Sequence, residues 1–208
     1  MSEEARSDGK ETAGAREAHQ SAWPAILTWR AHDVPRMESV RVQLSGNRIK
    51  AYGRIVAAAT PSHPAFSASY DLVTDESGAT KRLSLTVTLA ERERQLSIAR
   101  DEEGMWLVQH HTGEWKRAAY DGALDVDVIF SPFFNALPIR RTGLYQRSDS
   151  VTLPVAYVRL PEMSVDPVTI SYSSAPDGIK LHSPVAETTI TVDDDGFILD
   201  YPGLAERI

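Results

Sequence analysis

Apolar and polar residues alternate with a period of two along several stretches of this chain. The clearest stretch is 83–89 (LSLTVTL), and the ranges 40–44 and 66–72 repeat the pattern. Because successive side chains of a β-strand point to opposite faces, each range predicts a strand with one buried and one solvent-facing side. Antiparallel sheets tolerate this asymmetry better than parallel sheets, so the alternation favours an antiparallel arrangement.

Short turns rich in glycine, aspartate and asparagine separate these stretches. Glycine supplies the positive φ of tight hairpins, and aspartate accepts hydrogen bonds from the backbone of its own turn. The spacing predicts a meander of three or four strands from Lys81 to Arg117 and a second meander from Val168 to Tyr201. No segment after Trp23 shows a clear 3.6-residue period, so we expect little helix. The predicted fold class is therefore all-β, with a many-stranded antiparallel sheet.

The first 22 residues differ in composition from the rest. Met1–Ala22 is charged, rich in Ala, Glu, Ser and Gly, and contains no aromatic residue. It has too little apolar surface to offset the entropy of ordering, so we predict a disordered tail over 1–22 and a single domain over 23–208. The tail lacks the apolar core of a signal peptide, and the chain has no run of about 18 apolar residues. We therefore expect a cytoplasmic protein without a transmembrane segment.

Charge and composition narrow the set of partners. A net charge of -7 disfavours a nucleic-acid surface, because such surfaces require clustered Lys and Arg. The absence of cysteine excludes thiolate metal sites and thiol catalysis. The six histidines form no metal-binding motif, and the sequence DDDG at 193–196 fits a hairpin turn rather than a calcium loop. We expect no metal, no cofactor and no nucleic-acid partner, and the oligomeric state stays open.

The segment 124–141 (LDVDVIFSPFFNALPIRR) breaks the alternating pattern. It begins as a strand, but Pro132 and Pro138 lack the N–H that a central strand needs. The apolar side chains between them require burial, because each is worth about 1.5–3 kcal/mol when removed from water. We predict a loop or short helix that partly fills the concave face of an open sheet. The same side chains would then line whatever space is left.

This segment supplies most of the candidate ligand-binding residues. Aromatic side chains would form an apolar wall, and a guanidinium would suit an anionic head group. The alternative for the arginines is an ion pair with Asp125, Asp127 or Asp200. The candidates are Phe133, Phe134, Asn135, Arg140, Arg141 and, from the C-terminal region, Tyr201.

Asp125 and Asp127 lie two residues apart and share one face of the predicted strand. Paired carboxylates can separate their pKa values and act as acid and base. However, they lie opposite the apolar positions of this strand. We therefore interpret their face as the solvent-facing one.

Two motifs carry a resemblance to a known family. They are the segment 124–141 and the sequence VDDDGFILDYPGL at 192–204, supported by Trp29-Arg30, Tyr70 and Trp106. Together they resemble a bacterial family that is named for glycolipid binding and whose function is not established. The resemblance spans Trp23 to the C-terminus. It implies a rolled, many-stranded antiparallel sheet, similar to that of lipoprotein-localisation factors, which hold acyl chains in such a cup.

Three functions follow as hypotheses. The first is a module that binds a glycolipid or acyl-bearing small molecule in the concave face of the rolled sheet. The second is a cofactor-independent enzyme that uses Arg, Asp and Tyr side chains in the same cup. The third is a protein-interaction module that uses a sheet edge or the concave face.

Overall fold

The structure, a computed structural model, describes residues 23–208. The tail predicted for 1–22 lies outside this range. Within it the chain forms fifteen strands, one α-helix and one 3₁₀ turn at Tyr120–Gly122. The first eight strands are β1 (Ala25–Ala31), β2 (Arg36–Ser45), β3 (Arg48–Ala57), β4 (Phe66–Thr74), β5 (Thr80–Thr88), β6 (Glu93–Arg100), β7 (Trp106–His110) and β8 (Trp115–Ala118). The others are β9 (Asp125–Val128), β10 (Ser150–Val158), β11 (Val165–Ala175), β12 (Gly178–Ser183), β13 (Ala186–Val192), β14 (Ile198–Tyr201) and β15 (Ala205–Arg207), with helix α1 (Pro132–Thr142) between β9 and β10.

All fifteen strands belong to one open sheet. Their order is β8-β7-β6-β5-β4-β3-β2-β1-β15-β14-β13-β12-β11-β10-β9, so β1 and β15 join the two halves. Neighbouring strands are antiparallel throughout, except that β9 pairs with β10 in parallel. The predicted all-β, many-stranded antiparallel fold is confirmed, as are the two meanders, which are β5–β8 and β11–β14. The parallel pair at the end of the sheet was not predicted.

The sheet curls so that β9, at one end of the strand order, meets β5 in the other half. The N–H of Thr80, the first residue of β5, donates to the carbonyl oxygen of Leu124 at 2.9 Å. The Thr80 hydroxyl also accepts a hydrogen bond from the N–H of Val126 at 3.3 Å. The last strand of the order therefore lies inside the roll rather than at a solvent-exposed edge.

This position explains why one sequence interpretation was wrong. All four residues of β9 are buried, and Asp125 and Asp127 have exposed fractions of 0% and 8%. Val126 and Val128 pack into the apolar core of the first half of the sheet. The opposite face of β9, which the alternation assigned to water, faces the core of the second half.

Helix α1 packs between the two halves. The ring of Phe133 stacks on Tyr70 of β4 at 6.1 Å and on Phe197, in the β13–β14 turn, at 6.2 Å. The helix starts with Pro132 after Ser131, and it ends at Gly143, whose φ of 72° is the left-handed conformation that glycine adopts readily. The prediction of a loop or short helix in this segment is thus confirmed in its helical form.

Candidate functional site

A cavity of about 340 Å³ lies in the second half of the sheet, beside α1. Strands β9 to β14 and the loop after β14 enclose it. The apolar part of its wall includes Ile129, Ile170 and Leu181. The polar residues that line it are Asp127, Ser131, Asn135, Tyr157, Ser183, Glu187, Thr188 and Tyr201.

Asp127 is the main ionisable group inside the cavity. Register in the parallel β9–β10 pair places it directly beside Tyr157. Burial, with a smaller effect of the neighbouring charge of Asp125, raises the pKa of Asp127 to about 7 against the opposing effect of the backbone N–H of Val128. Near neutral pH this carboxyl group therefore exchanges protons readily.

Two tyrosines, Tyr157 and Tyr201, are among the polar residues that line the cavity. Tyr157 and Tyr201 are both buried, and burial together with the negative charge of Asp127 raises the pKa of each phenol above its ordinary value. Both side chains therefore stay protonated at physiological pH and can donate hydrogen bonds. Neither hydroxyl has a hydrogen-bond partner in the part of the chain that the structure describes.

Asn135 of α1 lines the cavity and is hydrogen-bonded to another side chain of the protein. The hydroxyl of Tyr172 donates to its side-chain oxygen at 3.0 Å. This contact satisfies the buried amide oxygen and leaves the amide nitrogen as a potential donor. Of the six candidate residues, Asn135 and Tyr201 are the two that the structure brings to this cavity.

The two arginines lie elsewhere. Arg141 forms a forked ion pair with Asp125, with Nη2–Oδ2 at 2.6 Å and Nε–Oδ1 at 3.2 Å. This is the ion-pair alternative that the sequence left open. Arg140 is buried, and its guanidinium lies 4.9 Å from the ring centre of Phe197 and 5.6 Å from that of Tyr145. Neither arginine lines the cavity.

Phe133 and Phe134 fill the interior rather than the cavity. Both side chains are fully buried, and their rings meet edge to face at 5.5 Å. They form part of the core that α1 shares with the first half of the sheet.

A second buried carboxylate, Glu38 of β2, was missed by the sequence analysis. It is 2% exposed and accepts hydrogen bonds from the hydroxyls of Tyr70 at 2.7 Å and Ser131 at 2.5 Å. The N–H of Phe133 donates to it at 3.4 Å, so this distant carboxylate caps the first turn of α1. Burial raises its pKa to about 7, although these hydrogen bonds oppose the shift.

A sequence signal for Glu38 did exist. It occupies the same face of β2 as Val40 and Val42, because residues two apart on a strand point the same way. A charged residue in register with apolar positions indicates a buried, partnered group. The cavity itself had no comparable signal, because Tyr157, Ile170 and Leu181 are brought together only by sheet pairing.

The geometry defines a class of protein: an open, rolled β-sheet around one helix, with a partly open cavity whose lining combines apolar and hydrogen-bonding side chains. Residues 26–207 match the family described as "Putative glycolipid-binding", and the chain belongs to that family. The family resemblance found in the sequence is thus confirmed.

A solved structure supports the fold. The crystal structure of a DUF1089 family protein from Pseudomonas aeruginosa aligns with a TM-score of 0.67 at 25% identity, over 86% of this chain and 95% of that one. The comparison with curated proteins yields no match.

Two searches of the described residues bear on other functions. None of the helices in 23–208 is long and apolar enough to span a membrane. The same range contains no group of three or more His, Asp or Glu side chains arranged to hold a metal ion.

Proposed function

We propose that this protein binds a glycolipid or another lipid-like small molecule in the cavity beside α1. The observation that carries the proposal is the cavity of about 340 Å³, whose lining is mostly apolar and includes several hydrogen-bonding side chains. Ligand sites combine a mostly apolar lining with a few placed polar groups in this way. The family description agrees with such a ligand.

The volume bounds what the site can hold. Sites for small molecules span roughly 300–1,000 Å³, and this cavity lies near the lower end. It suits a single head group, or a head group with a short acyl segment. The rest of a longer lipid would extend through the opening past Val185, which is exposed at the rim.

A cavity-filling substitution tests the proposal. We expect octyl β-glucoside, below its micellar concentration, to raise the melting temperature of the wild-type protein, because a ligand that binds only the folded state stabilises it. Ala186→Phe should abolish this shift, since Ala186 lines the cavity. Ala59→Phe, at an exposed position outside the cavity, is the matched control. A shift that survives in Ala186→Phe would overturn the proposed site.

A second candidate function is a cofactor-independent enzyme in the same cavity. Asp127, with its pKa raised to about 7, lies beside two tyrosines, and perturbed ionisable groups in a cavity often carry acid–base chemistry. If so, mass spectrometry of a bound ligand would reveal a product that Asp127→Asn fails to form while still binding. Recovery of unchanged ligand from the wild-type protein would exclude this function for that ligand.

A further inference from the structure

We propose that the head group taken by this cavity donates hydrogen bonds and carries no negative charge, with Asp127 as its acceptor. The inference rests on the proposed function and names the class of ligand. It reverses the expectation from the sequence, in which Arg140 and Arg141 would recognise an anionic head group.

Asp127 has unfilled hydrogen-bonding capacity. A carboxylate offers about four lone-pair sites, and buried polar groups are normally satisfied. In the part of the chain that the structure describes, the backbone N–H of Val128 lies close enough to lower the pKa of Asp127, and no side chain donates a hydrogen bond to its carboxyl group. Glu38, by contrast, accepts from two hydroxyls and one backbone N–H. Asp127 is 8% exposed, and that remaining surface faces the cavity.

The charge of the cavity lining disfavours an anionic head group. The two charged residues in the described wall are Asp127 and Glu187, and Lys, Arg and His are absent from it. Arg141 is held by Asp125 at 2.6 Å, and Arg140 lies against aromatic rings away from the cavity. No cation in the described lining would compensate an anionic head group.

The low dielectric of a buried site strengthens the repulsion between like charges. Above pH 7, where Asp127 is ionised, a phosphate or carboxylate in this cavity would lie near its negative charge, and charges of like sign repel far more strongly here than in water. A hydroxyl group would instead donate to Asp127 and could accept a hydrogen bond from a tyrosine hydroxyl, whereas an ammonium group would donate to Asp127 and to the tyrosine oxygens. The shared chemistry is therefore a hydrogen-bond donor, which a sugar or an amine could supply.

A set of ligands with one tail and different heads tests the inference. The probes are octyl β-glucoside, octylammonium and octyl phosphate, measured by calorimetry below their micellar concentrations. We expect the glucoside or the ammonium compound to bind at least tenfold more tightly than the phosphate. Whichever of the two binds more tightly identifies the source of the donor.

Asp127→Asn and Asp149→Asn form a matched pair of variants. Each removes one negative charge, but Asp149 is exposed and lies outside the cavity lining. We expect Asp127→Asn to weaken binding of the preferred probe about tenfold and to narrow its advantage over octyl phosphate. Asp149→Asn should leave both values unchanged.

The outcomes separate this inference from the proposed function. Binding of octyl phosphate as tightly as the other probes, or equal effects of the two variants, would overturn the inference and leave ligand binding intact. If none of the three probes binds, the proposed function itself fails.

Discussion

Two buried carboxyl groups on opposite halves of the sheet have similar burial and similar pKa values but different surroundings. Glu38 and Asp127 are both almost fully buried, and burial raises the pKa of each to about 7. Glu38 is enclosed by Tyr70, Ser131 and the first turn of α1. Asp127 borders an open cavity.

The comparison teaches that a perturbed pKa alone does not identify a functional site. Both shifts have desolvation as their largest cause. What separates the two groups is the number of protein donors around each and the presence of empty space. Glu38 accepts hydrogen bonds from the residues packed around the helix, whereas Asp127 lines a cavity and accepts none from a side chain of the described residues.

Replacing each carboxylate by alanine should give the largest difference between the two positions in the free energy of unfolding. Glu38→Ala leaves two hydroxyls and one N–H without an acceptor, and each unsatisfied buried donor costs about 1–3 kcal/mol, so we expect a loss of about 4 kcal/mol in the free energy of unfolding. Asp127→Ala orphans no side-chain donor and should lose less than about 1 kcal/mol. Denaturant unfolding at pH 6 measures both. Equal losses would remove the distinction.

The pH dependence of stability should report both groups. Each folded-state pKa, about 7, lies above the ordinary values of 4.5 for Glu and 3.8 for Asp. Folding therefore favours the protonated form, so the contribution is fully present below about pH 4 and is lost as pH rises through 7. The loss is on the order of 3 kcal/mol for Glu38 and on the order of 4 kcal/mol for Asp127, at 1.36 kcal/mol per pKa unit.

Amide variants, which cannot ionise, show how much of this pH dependence each carboxyl group causes. Glu38→Gln and Asp127→Asn should each flatten part of the decrease in unfolding free energy between pH 4 and pH 8, because neither amide titrates. A wild-type stability that rises over this window would contradict the assignment.

A substitution at Gly53 tests the packing around Glu38, because Gly53 lies against the tyrosine ring that donates to Glu38. Gly53 of β3 pairs with Tyr70 of β4, and a Cβ atom at Gly53 would overlap the tyrosine ring. Gly53→Ala should displace the ring that donates to Glu38 and cost about 2 kcal/mol, a typical value for overpacking.

Gly104→Ala is a control with open space around the added methyl group. Its φ of +79° makes the substitution mildly strained, at about 1 kcal/mol. A Gly53→Ala protein as stable as wild type would show that Tyr70 can move freely.

The smallest expected difference is between two tyrosine hydroxyls. Tyr70→Phe removes a hydrogen bond of 2.7 Å to Glu38 and should cost about 1.5 kcal/mol. Tyr201→Phe should change the free energy of unfolding by less than about 0.5 kcal/mol, because its hydroxyl has no hydrogen-bond partner among the described residues. A larger loss for Tyr201→Phe, measured without ligand, would assign its hydroxyl to the fold rather than to a ligand.

Much of the fold was predictable from local patterns. The alternation at 83–89 became β5, and the proline-bounded segment became a short buried helix. The candidate site was predicted only in part. Asn135 and Tyr201 line the cavity. Arg141 instead forms an ion pair with Asp125, and the two phenylalanines of α1 lie in the core.

The sequence by itself determined the strands, the turns and the segment that had to be buried, because these depend on the spacing of apolar residues and on local backbone preferences. Only the tertiary structure decided that β9 lies inside the roll, since covering its second face requires β5 and β10 to arrive from distant parts of the chain. That non-local packing buried Asp127, which the alternation had assigned to the surface, and placed it in the lining of a cavity, because burial depends on what covers a face and not on the alternation within it.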